Sequence, residues 1–313
     1  WLEAETGFEI EGLTKAIVSE LLEKDINDKA KRVLELRQNM SKTSVRKYEA
    51  MDRAICSDER VRGLLQFYGA ATGRWAGRLV QVQNLPRNTM SDLDLARNLL
   101  LEGNYEAIEL LFDSVPDVLS QLIRTAFIPS NNSRFIVSDF SAIEARVIAW
   151  LAGERWRLDV FNSHGKIYEA SASQMFGVPL EEITKDSEYR RKGKISELAL
   201  GYQGSVGALK AMGAIDMGLT EDELKPLVDT WRRSNPNIVK LWWDVEAAAI
   251  KAVKGRMTIT MQHNLKLSYR SGILFITLPS GRSLAYVRPR VEIDERFNKD
   301  KLTFEGIMPG TRK

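Results

Sequence analysis

The hydrophobic period of this chain changes at Arg256, and that change limits the folds open to it. Before Arg256 apolar residues recur three and four apart over long stretches. After it they alternate, in MTITMQ, LKLSYR and ILFITLPSGRSLAYVRPRVEI. The first pattern lays one apolar stripe on a helix and the second one apolar face on a strand. A long helical body followed by a run of strands defines a helix-rich α+β protein. Pro279-Ser280-Gly281 is the expected hairpin turn.

Within the helical body, residues 9–68 read as long, half-exposed amphipathic helices, one over Thr14 to Lys42 and a second from Lys42 to Tyr68. They fit a helical hairpin with solvated outer faces, or an arm laid along a phosphate backbone by Lys42, Arg46 and Lys47. Residues 92–112 read as a helix, as does the chain after Pro116. Residues 155–176 read as helical with a break at His164-Gly165. Two more helices cover 220–254, with Trp231, Trp242 and Trp243 expected in the core.

Composition narrows the chemistry. The 313 residues are 44% hydrophobic and 28% charged, enough for a sizeable core divided among two or three subdomains. Net charge is +3 and the pI about 8.8, with basic residues in clusters, which fits a polyanionic partner. A single cysteine, Cys56, excludes an internal disulfide and any zinc site built on several thiolates. The two histidines, His164 and His263, lie far apart, so metal ligands are expected to be carboxylates, which select magnesium or manganese. No apolar run is long enough to span a membrane and the first residues carry no signal-peptide pattern, so the cytoplasm is the expected compartment. The chain opens without methionine and stops at PGTRK, as a fragment of something longer would.

Three stretches carry chemistry. Ala70 to Asn88, AATGRWAGRLVQVQNLPRN, holds no acid, while Arg74, Arg78, Gln81, Gln83, Asn84 and Arg87 supply many donors. Such donors suit the minor groove, whose acceptors look alike from pair to pair, so contacts there test duplex shape more than sequence. Arg134 to Leu151, RFIVSDFSAIEARVIAWL, reads as a buried strand over Phe135-Ile136-Val137, an acidic turn at Asp139, and a helix whose buried face is Ile143, Val147, Trp150 and Leu151. Ser141 and Glu144 have the form of a capping box. A carboxylate at such a junction is well placed to ligate a metal, although Asp is also an ordinary turn residue. In Glu188 to Gly204, EYRRKGKISELALGYQG, Arg190, Lys194, Leu198 and Tyr202 recur every four residues. On a helix the two cations stand about 6 Å apart, followed by an apolar and an aromatic group. That stripe fits a nucleoside triphosphate; an ordinary charged surface helix has the same look.

In this order the three stretches resemble DNA polymerase family A, the group of bacterial DNA polymerase I and many phage enzymes. TGRWAGRLVQVQNLP is similar to the family's TGR…NLQNIP segment, SDFSAIEAR to motif A (DYSxIELR), and RRKGKISELALGYQG to motif B (RRxxKxxNFGxxYG). The LALGYQG ending resembles the phage or prophage branch. The resemblance implies a right-hand fold with thumb at 1–69, palm at 70–150, fingers at 151–255 and palm strands in an antiparallel sheet at 256–313. It implies primer-template DNA and dNTPs as partners, and two Mg2+ ions (or Mn2+) as cofactors. It makes Asp139 a ligand of both ions, with the Phe140 carbonyl on one. Arg190 and Lys194 would take the triphosphate, Tyr168 a further contact to it, and Leu198 and Tyr202 the sugar, base and pair edge. Glu144 would exclude a 2′-hydroxyl. Arg74, Arg78, Gln81, Gln83 and Asn84 would track the duplex, and Arg146 would lie near the primer end.

The family pattern is not followed everywhere. Leu198 stands for its aromatic residue, Glu197 for its Asn and Tyr168 for its His. The His-Asp-Glu turn of motif C is not evident: Asp58-Glu59, Asp222-Glu223 and Asp294-Glu295 all lack the preceding His, and only Asp294 follows a strand-like run. A second polypeptide segment carrying motif C is therefore an expected partner, and this chain alone is expected to be a weak or inactive polymerase. A non-catalytic DNA- or nucleotide-binding fragment is the alternative, and a single-subunit phage RNA polymerase a further one, against which Glu144 speaks.

Overall fold

A computed structural model describes residues 1–10, 12–40, 45–70, 73–112, 114–295 and 298–306. The chain forms two compact units, Trp1–Ile136 and Val137–Lys313.

In the first unit, α1 (Leu2–Thr6), α2 (Lys15–Glu23) and α3 (Asp28–Met40) close on a small core of Val18, Leu21 and Leu34. The single helix expected over 14–42 is thus two. The Asn27 Oδ1 accepts from the Ala30 backbone N–H at 2.8 Å and starts α3 afresh. Lys42 lies outside the described residues. The second expected helix ends early: α4 (Arg46–Ala54) is followed by an irregular stretch and a short hairpin of β1 (Leu65–Gln66) with β2 (Ala76–Gly77). Ile55 turns extended at ψ 128°, and Glu59 and Gly63 are left-handed at φ 60° and 73°, so the chain leaves helical geometry there. Met51, Val80, Leu85 and Ile123 form the core beside this hairpin.

The helix expected at 92–112 is α5 (Leu93–Leu101) and α6 (Tyr105–Leu111). Gly103 is left-handed at φ 71°, and the next residue, Asn104, caps α6 by accepting from the Ala107 N–H at 3.2 Å. With α7 (Val115–Leu122), these helices enclose Ala96, Ile108, Val118 and Leu122.

The second unit contains α8 (Ile143–Ala152), α9 (Arg155–Asn162), α10 (Ile167–Phe176), α11 (Glu188–Leu200), α12 (Val206–Ala211), α13 (Glu221–Ser234) and α14 (Pro236–Gly255). The break at Gly165 and the paired helices over 220–254 match the sequence reading. The main core gathers Ile195, Leu200, Leu209, Leu224, Val228, Trp231 and Ile238. Trp242 stacks on Trp231 at 5.9 Å, whereas Trp243 is exposed and does not join the core as expected. Gly193 sets the α10–α11 approach: a Cβ there would stand 2.3 Å from the Tyr168 carbonyl oxygen.

Five antiparallel strands follow in sequence order: β3 (Thr258–Thr260), β4 (Lys266–Arg270), β5 (Ile273–Thr277), β6 (Ser283–Asp294) and β7 (Lys299–Glu305). The Pro279–Gly281 turn joins β5 to β6 as expected, while β7 was not foreseen in the alternation pattern. Pro289 falls inside β6 at a register shift between Val287 and Arg290, where a residue without an N–H is tolerated. Ala248, Ala249 and Ala252 of α14 let the helix approach Leu267 and Leu274 of the sheet. No helix among the described residues is long and apolar enough to cross a membrane.

Two expectations about the Asp139 stretch are corrected. Phe135-Ile136-Val137 is not a buried strand: no strand pairs with it among the described residues, and Ile136 and Val137 are 85% and 90% exposed. An aromatic residue followed by two β-branched ones has strand propensity, but without a neighbour the backbone groups remain with solvent. The face expected to be buried on α8 is also the wrong one. Ile143, Val147 and Trp150 are exposed, and Ala149 and Ile148 face the core instead. The segment is apolar nearly all round, so periodicity alone offers two faces, and the alanine-rich one permits the closer approach to α9 and α14. Ala149→Leu will therefore cost about 1–3 kcal/mol by overpacking, and Val147→Ser less than about 0.5 kcal/mol. Urea denaturation of the two variants measures both; equal costs would reverse the facing assigned here.

Candidate functional site

One cavity of about 300 Å³ in the second unit collects most of the predicted nucleotide-site residues. Asp139, Phe140 and Glu144 line it from the start of α8, Tyr168 from α10, and Leu198 and Tyr202 from the end of α11. Arg157 and Glu197, which the sequence reading did not place in a site, line it too.

The chain enters α8 through Ala142, held left-handed at φ 51°. For a residue with a Cβ that conformation costs about 1–2 kcal/mol, and strain of this kind concentrates at functional turns. The helix begins at Ile143, with Ala142 and not Ser141 at its N-cap and no side-chain cap hydrogen bond there. The carbonyl of Ser141 instead accepts from Arg146 Nε at 2.9 Å, and the Arg146 guanidinium lies over the Phe161 ring at 4.4 Å.

Ser187 caps α11 by accepting from the Arg190 N–H at 3.2 Å. The stripe runs along the exposed side of this helix through Leu198; Tyr202 sits just past the helix end, yet lines the same cavity as Leu198. Arg190 and Lys194 are outside the lining. Arg190 donates to Glu169 Oε1 at 2.6 Å and stands 5.8 Å from the Tyr168 ring centroid. Lys194 is exposed and makes no ion pair among the described residues. The back of α11 is fixed by Lys192, which is 2.7 Å from Glu188 and 2.8 Å from Glu223. Burial pushes the Lys192 ammonium down, but these two carboxylates outweigh it and its pKa is raised. Glu223 is held down to about 2, first by Lys192 and then by the Thr220 N–H, which it accepts in the capping box of α13.

Beneath Leu198 lies a buried polar node. Arg157 Nη1 donates to Glu197 Oε1 and to Asn235 Oδ1, each at 2.9 Å, and Nη2 pairs with Glu197 Oε2. Ser171 Oγ and Trp231 Nε1 also donate to Glu197 Oε1 at 2.9 Å. Glu197 thus accepts from three side chains on three other helices. Close by, the buried Glu154 Oε2 accepts from the Asn237 and Ile238 N–H groups at the start of α14, where an anion is favoured. No local pattern announces Arg157. The available signal was Glu197 itself: a carboxylate on the buried side of a helix requires a cation.

The predicted duplex-tracking residues lie in the first unit. Arg74 is in the turn of the β1–β2 hairpin, Arg78 follows β2, and Gln81, Gln83 and Asn84 form the short turn after it. Arg78 Nε donates to Gln66 Oε1 across the hairpin. The Gln83 amide fills the space where a Cβ on Gly77 would stand, 2.0 Å from its Nε2.

Asp139 and Phe140 line the cavity, and a carboxylate and a backbone carbonyl are hard oxygen donors of the kind that Mg2+ or Mn2+ takes together with phosphate oxygens and water. Of the other lining carboxylates, Glu197 is committed to Arg157. Among the described residues no group of three or more His, Cys, Asp or Glu is arranged to hold a metal, and Asp294, at the end of β6, is not in the lining.

This cavity, lined by Asp139 and Glu144 and by one side of α11, is the candidate site of a helix-rich α+β fold. The family model for DNA polymerase family A matches residues 5–268, and the chain belongs to that family. It is 66% identical over 309 residues to the DNA polymerase of Bacillus phage SP02, covering 98% of this chain and 48% of the phage protein. It is 31% identical over 117 residues to DNA polymerase I of Pseudomonas aeruginosa, covering 37% of this chain and 12% of that enzyme. The chain thus spans about half the length of the phage relative and less of the bacterial one. Its fold resembles the POL domain of Pol1 from M. smegmatis in complex with DNA primer-template and dNTP, at a TM-score of 0.54 and 20% identity over 86% of this chain and 41% of that one.

Glu197→Ala and Arg157→Ala will each destabilise the second unit by about 3–5 kcal/mol, because each leaves a buried charge without its partner. The double variant will cost less than the sum by about 1–3 kcal/mol; additive losses in chemical denaturation would dissolve the pair. Glu223 gives a pH test. Its folded pKa lies below its ordinary 4.5, so its contribution is present above that value and lost as pH falls toward about 2. Glu223→Gln will make the stability decline over that window shallower than in the unsubstituted chain, read from urea midpoints at each pH.

Proposed function

We propose that this chain is the greater part of the catalytic core of a DNA-directed DNA polymerase, extending a primer 3′-end with dNTPs in the bacterial cytoplasm. The observation that carries the proposal is the shared cavity of Asp139, Phe140, Glu144, Tyr168, Leu198 and Tyr202. Family membership, the name of the phage relative and the DNA and dNTP bound in the M. smegmatis structure support it. Residues 1–69 would serve as thumb, 70–150 as palm, 151–255 as fingers and 256–313 as returning palm strands.

The 3′-oxygen of the primer attacks the α-phosphorus; one P–O bond forms, the bond to the bridging oxygen breaks, pyrophosphate leaves, and the hydroxyl proton passes to solvent. Asp139 and the Phe140 carbonyl would hold the divalent ion, which supplies charge neutralisation at the reacting phosphate. Lys194 and Arg190 bind the triphosphate, Arg190 after exchanging Glu169 for phosphate, and Tyr168 flanks them. Leu198 packs on the sugar or base without a flat ring, so stacking there is weaker than an aromatic residue would give. Tyr202 meets the pair edge, and Glu144 packs under the sugar, where a 2′-hydroxyl would collide. Arg74, Arg78, Gln81, Gln83 and Asn84 follow the duplex, and Arg146 the primer end.

Two ions need more carboxylate than Asp139 alone supplies, so we propose that a second polypeptide segment brings the other ligand. A second reading, binding of DNA and dNTP without chemistry, is favoured by the same donor count. Primer extension with magnesium and dNTPs separates the two. The 313 residues are expected to extend slowly, and Asp139→Ala to lower that extension at least about 100-fold, since even outer-shell partners of metal ligands are worth about 10–100-fold. Robust, processive synthesis by the 313 residues would refute the need for another segment; extension unaffected by Asp139→Ala would refute the site.

A further inference from the structure

The β1–β2 hairpin carries an aromatic group that the proposed polymerase chemistry does not use. Phe67 and Trp75 flank the two pairs Leu65–Gly77 and Gln66–Ala76, with ring centroids 5.2 Å apart at 67°. Tyr68 adds an edge contact to Phe67 at 6.2 Å. These are large rings, yet Phe67 is 70% and Trp75 60% exposed. A cluster of exposed aromatic rings marks a surface that meets something.

The cluster is held, not dangling. The Arg78 N–H donates to the Leu64 carbonyl at 2.8 Å and continues the hairpin pairing. Ala76 fills the space a side chain on Gly69 would need, since a Cβ there would lie 2.5 Å from the Ala76 Cβ. Gly77 is pinned against the Gln83 amide. The rings are therefore presented on a defined scaffold, at low further cost in side-chain entropy.

The surroundings identify the occupant. From Arg60 to Ser91 the sequence contains no Asp or Glu and five arginines, Arg60, Arg62, Arg74, Arg78 and Arg87. Arg62 is neutralised by Asp58 through two 2.6 Å bonds, while Arg78 donates to Gln66 and Arg60 to Ser130, both uncharged partners. Flat exposed π-faces on an acid-free, arginine-bearing stretch of sequence fit nucleic-acid bases, which stack on aromatic rings while cations take the phosphates. Paired bases inside a duplex have their faces covered; unpaired ones do not. We propose that Phe67 and Trp75 form a stacking platform for unpaired bases of DNA, beside the amide and guanidinium groups assigned to the duplex. This rests on the DNA-polymerase reading of the chain.

The test is equilibrium binding of the full chain, by fluorescence anisotropy, to a short unpaired oligonucleotide, an abasic oligonucleotide of the same length and a blunt hairpin duplex. Trp75→Ala and Phe67→Ala are expected to weaken the unpaired oligonucleotide about 5- to 150-fold, and Trp75→Phe to stay within about twofold of the unsubstituted chain, since it keeps a ring. Binding of the abasic strand and of the blunt duplex should be unchanged, and so should the slope of affinity against salt, because no phosphate contact is removed. A 2-aminopurine base in the unpaired strand should be quenched by the unsubstituted chain and not by Trp75→Ala. Equal weakening of all three ligands, or none of any, overturns the platform. If the unsubstituted chain binds no form of DNA at low salt, the polymerase reading falls with it; if DNA binds normally and is indifferent to Trp75, the platform alone falls.

Discussion

The buried contact between Arg157 and Glu197 is the interaction on which the second unit most depends. Moving either charge out of water costs several kcal/mol even after relaxation, and attraction between the two recovers this only with good geometry and further hydrogen bonds. Both conditions are met here. Glu197 accepts from Arg157, Ser171 and Trp231, and Arg157 also reaches Asn235. The node therefore ties α9, α10, α11 and α13 together at one point and reaches the residue before α14. It also forms the floor of the cavity. Leu198 follows Glu197 directly, and Gly201 and Tyr202 come one turn later, so the wall of the candidate nucleotide site takes its position from this pair. The asparagine of the family pattern is shorter and uncharged and could not balance Arg157. Glu197, standing where the family pattern has Asn, thus answers a cation 40 residues away in sequence.

Support for the site is uneven. On the α10–α11 side it is rigid: Gly193 allows backbone-to-side-chain contact with α10, and Lys192 anchors the rear of α11 to Glu223. On the Asp139 side the turn at Ala142 and the Arg146–Ser141 hydrogen bond lead into α8, and no strand pairs with Phe135 to Val137 among the described residues. A metal ligand must be held within about half an ångström of its productive position. If Asp139 holds an ion as proposed, a strand beside it would cover the exposed apolar strip of Phe135, Ile136 and Val137 and stiffen the ligand at once.

Much of the fold was legible because the change of period at Arg256 reflects a real change from helices to a meander sheet, and because breakers such as Gly165 and the Pro279–Gly281 turn act locally. The misplaced boundaries have local causes as well. Asn27 and Asn104 are good caps inside runs whose apolar spacing continues across them, so periodicity reads through a break that hydrogen bonding makes. The errors at 135–151 are of another kind. Strand propensity and an all-round apolar helix say what a segment prefers, but whether a strand finds a neighbour, or which face of α8 meets the core, is decided by partners distant in sequence. The candidate site was legible as far as its residues belong to contiguous motifs. Arg157 belongs to none, and its role exists only through Glu197, Asn235 and the burial they share.

Charge distribution makes the same point at longer range. A net charge of +3 on 313 residues describes a nearly neutral molecule. That total conceals a segregation: acids are absent from Arg60 to Ser91, and many carboxylates elsewhere are paired, as in Lys192 with Glu188 and Glu223, Arg190 with Glu169 and Lys210 with Glu221. Exposed pairs of this sort add little to stability, but they cancel charge locally. With a Debye length of about 8 Å at physiological salt, a phosphate backbone responds to the charges within a turn or two of it and not to the molecular sum. The stretch that bears Arg74 and Arg78 contributes no acid of its own to the charge a polyanion would meet there, and the rings of Phe67 and Trp75 belong to that stretch.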